Sequence, residues 1–153
     1  MEELKRLYER ERTIKNGYEE ASARWAQEAG KDETKAWAAE YKTFCEEVRK
    51  KPAGIQALYR MYSSQQDRGN GYIDIDENGC TTMSGPAGCI KLLKEYGFES
   101  FTFSSTWSSA IETAWAFQEA GCTLEKIIII NAAYKDFDGK EFEKIPAYLF
   151  KIN

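Results

Sequence analysis

Six consecutive residues, Ser104-Ser105-Thr106-Trp107-Ser108-Ser109, hold five hydroxyls. They separate an alternating apolar run from a segment with helical spacing, so the hydroxyls surround a helix start. The first turn of a helix leaves backbone N–H groups unpaired, and the helix dipole puts partial positive charge there. Ser104, Ser105, Thr106, Ser108 and Ser109 are thus a candidate anion site, suited to a phosphate or carboxylate on a small ligand or nucleotide derivative. A simpler role is capping, since Ser109 and Glu112 have the spacing of a capping box. No glycine-rich loop precedes the turn, and no lysine follows it as in a P-loop. Both roles stand at this level.

Acidic residues form the second group. Asp74-x-Asp76-x-Asn78-Gly79 has the first half of a calcium loop, but the bidentate carboxylate is missing, because Gly85 stands at its position. Turn chemistry is the expectation there, with no metal. Asp136, Asp138, Glu141 and Glu143 gather at a hairpin turn. Together with Asp74, Asp76 and Glu77 they would make an acidic face for a partner protein, with Tyr134 beside it; the alternative is a solvated turn. Glu112 and Glu119 share a helix face with Ser108 and Trp115. At roughly 10 Å apart along the axis they make no catalytic dyad, and a solvated edge is expected. Trp107, Trp115, Tyr134 and Tyr148 read as core or as an aromatic contact patch, core being the commoner fate.

The composition excludes several chemistries. The chain contains no histidine, which removes Ser-His and Cys-His nucleophile pairs, the HExxH zinc site and the usual base near neutral pH. Cys45, Cys80, Cys89 and Cys122 are spaced too widely for a zinc site or a redox CxxC. The net charge is −4. Residues 1–51 carry twelve basic and twelve acidic side chains, and residues 52–153 nine and thirteen. A basic groove for nucleic acid is not expected from that balance. The charged opening Met1-Glu2-Glu3-Leu4-Lys5-Arg6 lacks the apolar stretch of a secretion signal. No run is apolar for long enough to span a membrane. A cytoplasmic protein with reduced thiols is the expectation, without catalytic groups, cofactor or metal.

The elements that must position these residues follow from hydrophobic spacing. Leu4, Leu7, Ile14, Tyr18, Ala21 and Trp25 form a helical stripe over residues 2–29; Asn16-Gly17 weakens it and leaves open whether the helix kinks or breaks there. Gly30-Lys31-Asp32 predicts a stop and a restart, and a second stripe runs Trp37, Tyr41, Phe44, Cys45 and Val48 until Pro52. The two helices form an antiparallel hairpin whose stripes pack within the fold or project as a homodimer surface through residues 1–50. A short helix is predicted over 54–66, a strand over 72–76, a loop over 79–88 and a helix from Pro86 to Tyr96. The last segment gives a strand at Phe98–Phe103, a helix at Thr106–Ala120 and a long strand at Leu124–Tyr134. After a turn at Phe137-Asp138-Gly139-Lys140, a returning strand runs Ile145–Ile152. The run Ile127-Ile128-Ile129-Ile130 predicts a central strand covered on both faces.

The segment Tyr96-Gly97-Phe98-Glu99-Ser100-Phe101-Thr102-Phe103-Ser104-Ser105, continued by Thr106 to Trp115, resembles a family of small accessory proteins of phages and conjugative elements of Gram-positive bacteria. Gly121-Cys122, Asn131-x-x-Tyr134 and Ile145-Pro146-Ala147-Tyr148 extend the likeness, which covers about a third of the chain. No activity is attached to that family. The resemblance implies a mobile-element setting, in which small proteins act by binding host proteins, including inhibition of defence nucleases.

The reading is an α+β protein: a helical hairpin at 1–51, then an α+β domain at 52–153 with a small mixed sheet of three or four strands, forming one compact unit. The expected function is non-enzymatic binding of a host protein, in the manner of an anti-CRISPR inhibitor of a nuclease effector complex. The alternative is sequestration of a small ligand or nucleotide derivative at Ser104–Ser109.

Overall fold

The computed structural model describes residues 1–27 and 32–153. The chain divides into two compact units, Met1–Pro52 and Ala53–Asn153. The Gly30-Lys31 part of the predicted turn lies outside the described residues.

The first unit is a pair of helices, α1 (Glu2–Gln27) and α2 (Thr34–Arg49). They run antiparallel, as the cross-links show: Lys51 pairs with Glu3, Arg10 with Glu47 and, at 3.0 Å, with Glu40, and Arg24 with Glu33 at 2.9 Å. The Arg10 guanidinium also lies 5.7 Å from the centre of the Phe44 ring, a cation–π geometry. Asp32 accepts a hydrogen bond from the Thr34 N–H at 3.0 Å, pairing one free donor of the first turn of α2. The helix does not break at Gly17: α1 is continuous through it. A Cβ at Gly17 would sit 2.4 Å from carbons of the Trp37 ring. The glycine is there because the Trp37 ring of α2 occupies the space a side chain would need.

The second unit opens with α3 (Ala53–Arg68), then β1 (Asp74–Ile75), α4 (Glu77–Thr82), α5 (Gly85–Glu95), β2 (Ser100–Phe103), α6 (Ala110–Glu119), β3 (Cys122–Lys135) and β4 (Phe142–Ile152). The four strands form a mixed sheet in the order β1-β2-β4-β3. β1 and β2 are parallel, while β4 is antiparallel to both β2 and β3. Strand register puts Phe101, Phe103, Phe150 and Tyr148 on one face. Phe117 of α6 drops into that face, its ring 4.9 Å from Phe101 and 5.5 Å from both Phe103 and Phe150. Burying such a side chain stabilises the fold by roughly 2–3 kcal/mol. Thr102, Leu149 and Ala147 line the other face and are also buried. No described helix is long and apolar enough to cross a membrane.

Several expectations are corrected. The loop predicted at 79–88 is mostly helix. Asp76 caps α4 by accepting from the Gly79 N–H, and Ser84, in the left-handed region at φ 70°, joins α4 to α5. The strand at 72–76 shrinks to two residues, because β1 pairs only opposite Thr102 and Phe103. α6 begins at Ala110, not Thr106, and Ser109 makes no side-chain cap bond; its hydroxyl is used elsewhere. The four isoleucines do not form a central strand. β3 is an edge, and although Ile130 is buried, Ile127 and Ile129 are 62% and 65% exposed.

Candidate functional site

The carboxyl ends of β1 and β2 lie side by side and open onto a cleft of about 370 Å³. In sheets with parallel strands, this end is where loops converge and ligands bind. Ser104, Ser105, Thr106 and Trp107 form one wall, α3 supplies Arg60 and Arg68, and the β3–β4 ribbon supplies Tyr134 and Pro146.

The hydroxyl-rich turn does face anions, and they belong to the chain itself. Ser104 Oγ donates to Asp74 at 2.6 Å, and Thr102 Oγ1 donates to the other oxygen of the same carboxylate at 2.9 Å. Glu77 accepts from Ser105 Oγ at 3.2 Å, Ser109 Oγ at 3.4 Å and Thr113 Oγ1 at 3.1 Å. Both carboxylates are buried, Asp74 at 5% exposure and Glu77 at 8%. A buried carboxylate must be hydrogen-bonded to remain tolerable, and these hydroxyls satisfy that need. The capping box predicted for Ser109 and Glu112 is replaced by this network: Ser109 turns to Glu77, and Glu112 is exposed. Ser105 Oγ also accepts from the Trp107 N–H at 3.1 Å, closing the turn. Thr106 and Ser108 are exposed.

Burial pushes the Asp74 carboxyl above the usual range, opposed by the hydrogen bonds from Ser104 and Thr102 and by the charge of Arg68. Arg68 is itself buried, 4.0 Å from Asp74, and its guanidinium donates to the carbonyls of Ser64 and Asn131 at 3.2 and 3.0 Å. Asp76 is more open and pairs with Arg60 at 3.2 Å.

The seven carboxylates of the expected acidic face are therefore divided. Asp74 and Glu77 face inward at the cleft. At the far hairpin, Asp136 is tied into its own turn, accepting from the Lys140 N–H at 2.9 Å, with Gly139 at φ 67° completing the reversal. Asp138, Glu141 and Glu143 are exposed there, interleaved with Lys135, Lys140 and Lys144. What the second unit exposes more plainly is apolar: Trp107, Ile111 and Trp115 at steps of four, Ile127 and Ile129 on β3, Tyr134 at the cleft, and Phe137, fully exposed at the hairpin tip. Trp107, Trp115 and Tyr134 are thus surface, not core. Thr102, Thr113 and Arg68 were missed as site residues. A hint existed for Thr113, which lies one helical turn from Ser109.

A family model described as "Domain of unknown function (DUF7698)" matches residues 57–152. No curated protein and no solved structure matches the chain. The matched region takes in the whole sheet, the cleft and the hydroxyl-rich turn, and the chain belongs to the DUF7698 family.

Proposed function

We propose that the protein is a binding factor for another protein and that the exposed aromatic side chains of its second unit are the anchors. The observation that carries this is Phe137. It stands fully exposed at the tip of a two-stranded ribbon that outruns β2, since β2 pairs only with Tyr148–Lys151 of β4. Large exposed apolar side chains ringed by polar groups have the composition of interface hot spots. Around Phe137 the polar ring is mixed in sign, so apolar contact does more for affinity here than acidity. The resemblance to mobile-element accessory proteins supports a host partner, and a nucleic-acid-targeting defence complex is the proposed one. Cross-linked capture from a Gram-positive host lysate tests this, comparing the wild-type chain with Phe137→Ala and Trp107→Ala. A specific partner lost in those variants is expected. A partner retained by both together, or no partner at all, counts against the reading.

A second reading rests on the cleft itself, whose wall is the Ser104–Trp107 turn. Because the donors of Ser104 and Ser105 are already given to Asp74 and Glu77, a small ligand there would be neutral or cationic in preference to a phosphate. Thermal shift with nucleotides and with small amines separates the two classes. Stabilisation by a nucleotide that disappears in Ser104→Ala would restore the anion site and displace the protein-binding reading.

A further inference from the structure

Backbone hydrogen bonds fix the direction of each polar group on the sheet edges. Thr102 and Ser104 give their N–H groups to Ile73 and Ile75 of the β1 side. Successive residues of a strand bond to opposite sides, so Phe101 and Phe103 bond to β4, through Phe150 and Tyr148. Tyr148 thus points its backbone at β2. By alternation Pro146 points the same way, beyond the end of β2, where its missing N–H leaves no bond unmade and blunts that edge. On β3, Ile127 and Ile129 lie opposite Tyr148 and Pro146, so their backbone groups point outward, away from β4. Asn131 confirms the parity: its outward N–H and carbonyl are both taken by the side-chain amide of Asn70, at 2.9 and 3.0 Å.

The long outer edge of β3 is therefore closed at one end by Asn70 and bent at the other by the bulge between Leu124 and Lys126. Between them, Ile127 and Ile129 present open backbone groups, and both side chains are largely exposed. This short stretch is self-complementary. We infer that it pairs antiparallel with the same stretch of a second copy of the chain, about a twofold axis through Ile128. Ile127 then opposes Ile129 of the other copy, and the reverse, making two hydrogen-bonded pairs and bringing four isoleucines together on one face. The bulge turns each strand off the edge where Asn70 of the other copy occupies it. The two obstructions, the bulge at Glu125 and the amide of Asn70 at Asn131, stand three residues either side of Ile128, so each falls opposite the other across the proposed axis. A parallel arrangement would set bulge against bulge and Asn70 against Asn70. The joined sheet has eight strands with the two β3 strands at its centre.

Sedimentation of the full chain tests the pairing. A species of twice 17.5 kDa is expected, reduced to a monomer by Ile129→Lys, whose side chain is already largely exposed. Register is tested by Ile128→Cys in a Cys45→Ser background, since Cys45 alone of the four thiols is not buried. Mild oxidation should yield a covalent dimer, while Thr123→Cys in the same background should not. A monomer at all concentrations overturns the proposal. So does a dimer that survives Ile129→Lys and fails to cross-link at position 128, which would move the interface elsewhere, for instance to the helices of residues 1–50.

Discussion

The side chain of Asn70 holds the backbone of Asn131 at both of its polar groups, donating from Nδ2 to the carbonyl at 3.0 Å and accepting the N–H on Oδ1 at 2.9 Å. One amide thereby stands in for a neighbouring strand at that point of the β3 edge. The arrangement is reciprocal, because Asn131 Nδ2 donates back to the Arg68 carbonyl at 2.6 Å. Arg68 also donates to the Asn131 carbonyl. The C-terminal end of α3 is thus fastened to the sheet beside the cleft.

Asn70→Ala removes two hydrogen bonds, leaving the Asn131 N–H to water while its carbonyl keeps the bond from Arg68. A loss of about 1–2 kcal/mol is expected, read from the midpoint of urea unfolding. Asn70→Asp keeps the acceptor for the Asn131 N–H but sets a carboxylate against its carbonyl, so it should do no better than alanine. Wild-type stability in Asn70→Ala would show that the pair contributes only geometry.

Asp74 makes stability depend on pH in a definite direction. Its folded pKa is raised by burial above the unfolded value of about 3.9. Between those two values the folded chain holds the extra proton, so this group's contribution to stability falls as pH rises through the window. Asp74→Asn has no such fall. The variant should therefore gain on wild type as the pH climbs from about 4 towards neutrality, measured as the difference between their urea midpoints. A difference that stays constant with pH would remove Asp74 as its source.

Gly17 is expected to invert the usual rule for helices. Alanine in place of a mid-helix glycine ordinarily stabilises by about 1 kcal/mol. Here the new methyl would lie 2.4 Å from the Trp37 ring, forcing the ring out of its seat, and such overpacking costs about 1–3 kcal/mol. Gly17→Ala should lower the thermal midpoint and alter Trp37 fluorescence. A raised midpoint would mean that Trp37 moves aside freely.

The four thiols should differ sharply in reactivity. Burial pushes Cys80 and Cys122 up to about 11 and Cys89 higher still, with the charges of Glu77 and Asp76 adding to the effect at Cys80. The thiolate is the reactive form, so at pH 8 the native chain should take up one equivalent of iodoacetamide, at Cys45, and four after denaturation. Peptide mapping that finds Cys80 labelled in the native protein would contradict its burial.

Much of the architecture was legible because local and tertiary demands agree. The stripes of both N-terminal helices, the Asp138-Gly139 reversal and the strands flanking it carry their periodicity openly. Failures came where a long-range partner overrides the local signal. Gly17 signals a break until Trp37 is seen beside it, and Ser109 signals a cap until Glu77 is found. The Ile127–Ile130 run has the pattern of a buried strand, and nothing within the run reveals that it lies on an edge. For the site, the hydroxyls and the carboxylates were each picked out separately. Their pairing was not foreseen, because Asp74 and Ser104 are thirty residues apart and meet only when β1 aligns with β2.

Two phenylalanines in the second unit separate folding from recognition. Phe117 is fully buried against Phe101, Phe103 and Phe150, whereas Phe137 is fully exposed. Phe117→Ala opens a cavity in the aromatic cluster and should cost about 3–5 kcal/mol. Phe137→Ala touches no packing and should leave stability within about 0.5 kcal/mol. If the exposed ring is an interface anchor, its loss should instead weaken partner capture by a factor of ten or more, as hot-spot truncations do by costing about 2 kcal/mol. Stability and capture are measured on the same preparations, by urea unfolding and by quantitative pull-down. Unchanged capture with unchanged stability would leave Phe137 as a bystander and shift the search for anchors to Trp107, Ile111 and Trp115.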